Sequence, residues 1–259
     1  MIVIETVCVA FAMFSALPLP RPEWNARNMR YTLCAFPLIG LVCGGLWWSW
    51  SAVCAWLSAP AVLRGAGLCL IPALVTGGIH LDGYADTCDA LASCASPEKK
   101  QEILKDPHSG AFAVIRLCAY FTAHFALCTA LEPDRRVVEC MTLAFVLERA
   151  LSGLAVARFP LAKNTGLAHT FATAADRKTV GRILAVLCVL TAGGMVALGG
   201  LTGLAMSAAG LLVFWHYRVT AVRQFGGLSG DLAGWFLQRA ELWMLGALAA
   251  CQLIERKML

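Results

Sequence analysis

In the stretch Gly77–Gly110, GGIHLDGYADTCDALASCASPEKKQEILKDPHSG, stand four aspartates, Asp82, Asp86, Asp89 and Asp106, in a chain with only 16 acidic residues. The surrounding sequence is strongly apolar, and a carboxylate cluster is costly in such a setting unless a cation or water compensates it. Asp82, Asp86 and Asp89 follow an i, i+4, i+7 spacing, which on a helix places them within an arc of roughly 60°. Like charges on one stripe disfavour one another's ionised form, and a bound divalent cation removes that penalty. Hard oxygen ligands suit Mg²⁺, which takes one or two carboxylates and completes its shell with water and substrate phosphates. The alternative is a solvated polar face at the end of a span, but such faces normally use Glu and Lys rather than Asp, a poor helix former.

Other chemistry-bearing residues surround this stripe. His80 precedes Asp82 by two residues and is a candidate general base, hydrogen-bond partner or helix-end residue. Lys105, next to Asp106 in the turn Lys105–Gly110, is a candidate phosphate contact or a solvated surface charge. Glu148 and Arg149 fall near the middle of an apolar stretch, where an ionisable residue is a functional candidate by default; mutual neutralisation is the other reading. Late in the chain, QFGGLSGDLAG (224–234) sets Gly226, Gly227 and Gly230 around Ser229 and ahead of Asp231. Such a turn can present backbone N–H groups to phosphate, or can simply join two helices tightly. Gln238, Arg239 and Glu241 follow it.

These residues must be positioned by membrane helices. The chain has 259 residues, 59% hydrophobic and 14% charged, against about 25% charged in a soluble domain. Its apolar blocks approach the roughly 20 residues that a span requires. The expected fold is all-α, a polytopic integral membrane bundle of about seven to eight transmembrane or membrane-embedded helices, forming one domain over residues 1–259. Expected apolar segments are Met1–Leu17, Tyr31–Leu57, Ala61–Thr76, Ala111–Leu131, Cys140–Phe159, Ile183–Leu198, Leu201–His216 and Leu232–Ile254. Ser96-Pro97-Glu98 reads as a cap opening a short amphipathic surface helix, Pro97–Lys105. Trp47, Trp48, Trp50 and Trp56 read as an interfacial aromatic belt. Arg21, Arg27, Arg30, Lys163, His169, Arg177, Lys178 and Arg182 lie in polar segments, where topology or anion attraction accounts for them. Loop charge places 18–30, 80–110, 160–182 and 218–234 on one cytoplasmic face of the membrane.

The 12 cysteines form no C-x-x-C pair and sit mostly in apolar stretches, so they read as small core residues rather than a zinc or disulfide framework. The net charge of +5 comes with no basic and aromatic pattern of the kind that binds nucleic acid. No removable signal peptide is read at the N-terminus.

Four segments together resemble one family. The run HLDGYADTCDA (80–90) resembles the H-L-D-G-x-A-D-T-x-D-G signature of cobalamin synthase, the adenosylcobinamide-GDP ribazoletransferase. Glu102–Gly110, Phe36–Gly40 (FPLIG) and Gly226–Gly234 resemble, in the same order along the chain, that family's E-I-M-K-D-x-x-x-G, F-P-L-I-G and G-G-x-T-G-D-x-x-G segments. Ala90 stands for a glycine, Ser229 for a threonine and Gln238 for an expected glutamate, which leaves Glu241 as the nearby carboxylate. The resemblance implies a Mg²⁺-dependent enzyme of the bacterial cytoplasmic membrane with its active site facing the cytoplasm. Its substrates would be adenosylcobinamide-GDP and α-ribazole or α-ribazole 5′-phosphate, and its products adenosylcobalamin, or its 5′-phosphate, and GMP. In that reading Asp82, Asp86, Asp89 and Asp106 hold the metal. An aspartate or His80 takes the acceptor's proton. Lys105, Arg149, Gly226, Gly227, Ser229, Gly230, Asp231 and Glu241 bind substrate. The lipid bilayer is a partner, nucleic acid is not, and homo-oligomerisation stays open. A CDP-alcohol phosphotransferase would need a D-G-x-x-A-R…G-x-x-x-D-x-x-x-D spacing that is not met. A transporter would not need the phosphate-binding turn.

Overall fold

The computed structural model describes residues 2–20, 22–132, 134–163 and 165–258; Arg21 lies outside them. Among the described residues all regular elements are helices: α1 (Ile2–Phe14), α2 (Ala26–Met29), α3 (Thr32–Ala35), α4 (Pro37–Trp56), α5 (Ala61–Thr76), α6 (Ile79–Ala92), α7 (Pro97–Ile103), α8 (Ala111–Ala130), α9 (Arg135–Arg158), α10 (Leu167–Ala174), α11 (Arg177–Gly199), α12 (Leu201–Phe225) and α13 (Gly230–Met258). A single parallel bridge pairs Leu161 with Leu228.

Four stretches are long and apolar enough to cross a membrane: Thr32–Trp56, Ala111–Ala130, Arg135–Arg158 and Arg177–Gly199. The pair α5 and α6, bent by 93°, makes a fifth candidate. That is fewer than the seven to eight membrane helices expected from sequence. α5 has only 16 residues, and α12 and α13 carry His216, Arg218, Arg223, Asp231, Arg239 and Glu241 along their length. Even so, α12 and α13 have 25 and 29 residues, about 38 and 44 Å at 1.5 Å per residue. α12 also turns Leu201, Leu204, Leu211, Leu212 and Trp215 outward, at the helical spacing that a lipid-facing stripe requires.

Several helices outrun their apolar segments. α9 begins at Arg135 because Asp134 accepts a hydrogen bond from the Val137 N–H at 2.6 Å. α11 begins at Arg177 because Asp176 accepts from Thr179 N–H at 3.2 Å. Apolar length marks where lipid is, whereas the cap marks where the helix starts. The Ser96 cap opens α7 as expected, accepting from Lys99 N–H at 3.4 Å.

α9 is the central helix, buried along most of its length between α4 and α11 and backed by α13. The tryptophans of α4 divide by face. Trp47 is buried and donates to the Leu68 carbonyl at 2.8 Å, and Trp50 donates to that of Arg64 at 3.0 Å. Both therefore bind α4 to α5, while Trp48 and Trp56 are exposed as a belt requires. The cysteines are free thiols, half of them buried in the bundle interior and only Cys94 and Cys118 exposed.

The polar segments 18–30, 80–110, 160–182 and 218–234 gather at one end of the bundle. Arg30 pairs with Asp176 at 3.1 Å. Lys100 donates to Gln224 at 2.6 Å, Gln101 to the Phe225 carbonyl at 2.6 Å, and Lys163 to the Gln101 carbonyl at 3.1 Å. At the other end Arg136 meets Glu255 at 2.6 Å and Arg256 meets Glu132 at 3.2 Å. The basic residues at the end of α13 thus lie opposite the end that carries the aspartates.

Candidate active site

The acidic helix α6 owes its direction to Gly77 and Gly78. Both have left-handed backbone (φ 63° and 79°), which glycine adopts at little cost, and they turn the chain through the 93° bend after α5. α6 then crosses α13 backbone to backbone. A Cβ on Gly83 would stand 2.8 Å from Asp231 Cα and O, and one on Gly234 would stand 2.8 Å from the His80 carbonyl oxygen. Two glycines far apart in sequence thus let the two motifs meet.

This crossing places His80, Asp82, Gly230 and Asp231 on the wall of a cavity of about 310 Å³. The rest of that wall is mostly apolar, with Phe14, Leu33, Phe36, Val156 and Phe171. His80 is buried, its ring edge-on to Phe36 at 5.8 Å, and its Nε2 has no hydrogen-bond partner among the described residues. A second cavity of about 250 Å³ adjoins the first, sharing Leu167, Ala168, Gly230 and Asp231. Its character is different: Gln101, Lys105, Lys163, His169 and Ser229 line it. Burial and the neighbouring Lys105 push the Lys163 ammonium below the ordinary lysine value, and Asp231 opposes the shift. Asp231 therefore stands where an apolar and a basic chamber meet.

The charges of Asp82, Asp89 and Asp231 all reach Asp86, and the Asp89 carboxylate packs on Gly110, where a Cβ would collide with it. Asp106 is not drawn into this set. Its carboxylate accepts a hydrogen bond from the His108 N–H at 3.0 Å and faces His108 Nδ1 at 2.7 Å. Those contacts hold its carboxyl below the ordinary aspartate range.

The glycine turn also differs from expectation. Gly226 and Gly227 both spend their N–H groups on the Ala221 carbonyl, and Leu228 donates to Pro160 O at 2.8 Å. These amides are turned inward and cannot face a phosphate. Ser229, Gly230 and Asp231 line the chambers, where α13 begins and its dipole favours negative charge. Ser229 itself caps that helix, accepting from Leu232 N–H at 3.3 Å.

Arg149 and Glu241 do not join the aspartates. Arg149 donates to Glu148 Oε1 at 2.7 Å and to the Phe145 carbonyl at 2.9 Å. Glu241 accepts from Tyr120 OH at 3.3 Å and faces His124 Nε2 at 3.5 Å. All five polar side chains are buried. Glu241 lies ten residues beyond Asp231, about 15 Å along α13. Conversely, Phe14 and Phe171 were not singled out by sequence, and no local signal could have marked them, because they come from α1 and α10.

Among the described residues no group of three or more His, Cys, Asp or Glu side chains is placed to hold a metal ion. The donor chemistry nevertheless suits Mg²⁺. Asp82, Asp86 and Asp231 offer hard oxygens beside a basic pocket, and Mg²⁺ characteristically uses few carboxylates and leaves positions for phosphate.

The fold and site together define a polytopic membrane protein with an acid-lined cleft, half apolar and half basic, at one end of its bundle. The CobS family model, described as cobalamin-5-phosphate synthase, matches residues 6–249, and the chain belongs to that family. It is 42% identical over 239 residues to an adenosylcobinamide-GDP ribazoletransferase of Lachnoclostridium phytofermentans, covering 92% of this chain and 91% of the relative. It is 33% identical to the protein of the same name from Pseudomonas fluorescens over 92% and 96%, and 30% identical to that of Clostridium botulinum over 94% and 95%. No solved structure matches the chain.

Proposed function

We propose that the chain is an adenosylcobinamide-GDP ribazoletransferase, which moves the adenosylcobinamide phosphate of adenosylcobinamide-GDP onto a hydroxyl of α-ribazole or its 5′-phosphate. The hydroxyl oxygen forms a bond to the cobinamide-linked phosphorus, the bond from that phosphorus to the bridging oxygen breaks, and GMP leaves with the bridging oxygen. The observation that carries the reading is the meeting of Asp82 and Asp231, from motifs distant in sequence, on the wall of the apolar chamber where Asp231 also borders the basic one, in a chain 42% identical to a protein of that name.

Lys105 and Lys163 attract the diphosphate, and the first amides of α13 at Ser229 and Gly230 receive its oxygens. An aspartate at the cleft, or His80, takes the proton from the attacking hydroxyl. Asp82, Asp86, Asp89 and Asp231 are the residues to hold Mg²⁺, with Asp106 a further carboxylate on the adjoining turn. When bound, the ion supplies neutralisation of charge on the diphosphate oxygens. The site opens on the cytoplasmic side of a bacterial membrane, a reading supported by the basic residues in the loops at that end.

The test is purified protein in detergent with adenosylcobinamide-GDP, α-ribazole and Mg²⁺, followed by detection of cobalamin and GMP. The expected outcome is cobalamin formation that Asp82→Ala reduces by roughly 10²–10⁴-fold, the scale of a single positioned catalytic group. Near-wild-type GMP release by folded Asp82→Ala would reject the assignment.

A further inference from the structure

We infer that the apolar chamber is the subsite for the acceptor's aromatic base, and that His80 recognises that base's one free ring nitrogen. The inference rests on the proposed transferase reading and goes beyond it by giving each chamber its substrate. The chamber holds about 310 Å³, near the small end of ligand pockets, roughly 300–1,000 Å³. A corrin ring cannot enter it, and a bicyclic aromatic ring can.

The substrates carry three bicyclic bases, guanine and the adenine of the cobalt-bound adenosyl group on the donor and dimethylbenzimidazole on the acceptor. Adenine has three free ring acceptors and an exocyclic amine, which need several partners once buried. Guanine carries a carbonyl, a ring N–H and an exocyclic amine along one edge, and each needs a partner once buried. The chamber has Phe14, Leu33, Phe36, Val156 and Phe171 on its wall, and few polar side chains away from the catalytic carboxylates. Dimethylbenzimidazole, with one nitrogen bonded to ribose, exposes a single acceptor nitrogen and two methyl groups. His80 matches that need: it is 6% exposed, lines the chamber, and its Nε2 has no partner among the described residues. With a proton on Nε2, it donates one hydrogen bond to one acceptor. The three phenylalanines cover the ring, and the attached ribose then falls beside Asp231, where the chambers meet. The guanosine diphosphate half keeps the basic chamber with Lys105 and Lys163. His80 is thereby a base-recognition residue, and the hydroxyl proton goes to an aspartate.

The experiment has a kinetic and an equilibrium arm. In the first, Val156→Phe fills the apolar chamber and Lys163→Gln weakens the basic one. Val156→Phe is expected to raise KM for α-ribazole at least tenfold while leaving KM for adenosylcobinamide-GDP within twofold, and Lys163→Gln the reverse. His80→Phe should raise KM for α-ribazole, with His80→Gln recovering part of it. In the second arm, which needs no variant, α-ribazole is bound to the wild-type protein without donor. Free dimethylbenzimidazole should displace it and GMP should not. Displacement by GMP, or a Val156→Phe effect falling on the donor's KM or equally on both, overturns the inference. A wild-type protein that makes no cobalamin defeats the transferase reading instead, so the two failures are distinguishable.

Discussion

At one end of the bundle Asp82 and Asp231 line two adjoining chambers, and the charges of Asp82, Asp89 and Asp231 all reach Asp86 beside them. About a helical turn deeper, beyond Ser152 and Leu237 on the chamber wall, Glu148, Arg149, Glu241, His124 and Tyr120 are packed with one another. Both sets are ionisable groups in a membrane protein, where such residues are functional candidates by default. They differ in how charge is balanced. In the deep set Glu148 has Arg149 against it at 2.7 Å and Glu241 has Tyr120 and His124 beside it, and none of the five lines either chamber. The upper set is of one sign and makes no ion pair among the described residues, and its Asp82 and Asp231 face the chambers. Burial depth alone therefore does not mark a site. An uncompensated charge beside a cavity does.

The contrast is broken most directly by comparing Asp231→Ala with Arg149→Met. Asp231→Ala should abolish turnover and leave the unfolding temperature in detergent nearly unchanged, because it relieves like-charge repulsion. Arg149→Met strands Glu148 in the core, and breaking a buried pair from one side costs about 3–5 kcal/mol. The expected result is a large fall in unfolding temperature and yield, with the double variant Glu148→Met, Arg149→Met recovering part of it. An Arg149→Met protein that folds like wild type but shows a raised KM for adenosylcobinamide-GDP would move the deep set into the site and end the distinction.

A smaller effect is expected where the two motif helices touch. Gly83→Ala forces α6 away from the Asp231 backbone, and overpacking of this kind costs about 1–3 kcal/mol. Because the displaced helix carries His80 and Asp82, activity should fall more than stability does. Gly45→Ala is the matched control, since a Cβ there meets nothing within 4 Å. Equal behaviour of the two variants in turnover and unfolding assays would show that the close crossing does not set the site.

Much of this was legible in the residues. The i, i+4, i+7 aspartate stripe and the helical membrane class follow from local spacing and composition, loop charge puts 80–110 and 218–234 on one face, and the joining of the 80–90 run with the late glycine motif in one site is implied by the family resemblance. What stayed hidden depends on packing between distant segments. Phe14 and Phe171 look like ordinary apolar residues until α1 and α10 close over the cleft. Gly226 and Gly227 look like an anion-binding turn, but their amides are used at the α12 cap. Arg149 reads from its depth as a substrate ligand or as the neutralising partner of Glu148, and the structure shows the second arrangement.

Asp106 sharpens the comparison from the other side, since it was grouped with the three α6 aspartates by sequence alone. It is exposed, and hydrogen bonds from the His108 backbone and ring hold its carboxyl below the ordinary value of 3.8. A depressed folded value means that Asp106 adds stability above pH 3.8, and that this is lost as pH falls through the lower folded value. Asp106→Asn should therefore lower the unfolding temperature slightly at neutral pH, with the difference from wild type vanishing in strong acid. If His108 is its only engagement, turnover should drop far less than in Asp82→Ala, because an exposed surface contact of this kind is weak. Should Asp106→Asn instead lose activity as completely as Asp82→Ala, and lose it in a way that added Mg²⁺ partly restores, the turn must swing in to join the upper set during the reaction. The line between compensated and uncompensated carboxylates would then describe the resting protein only.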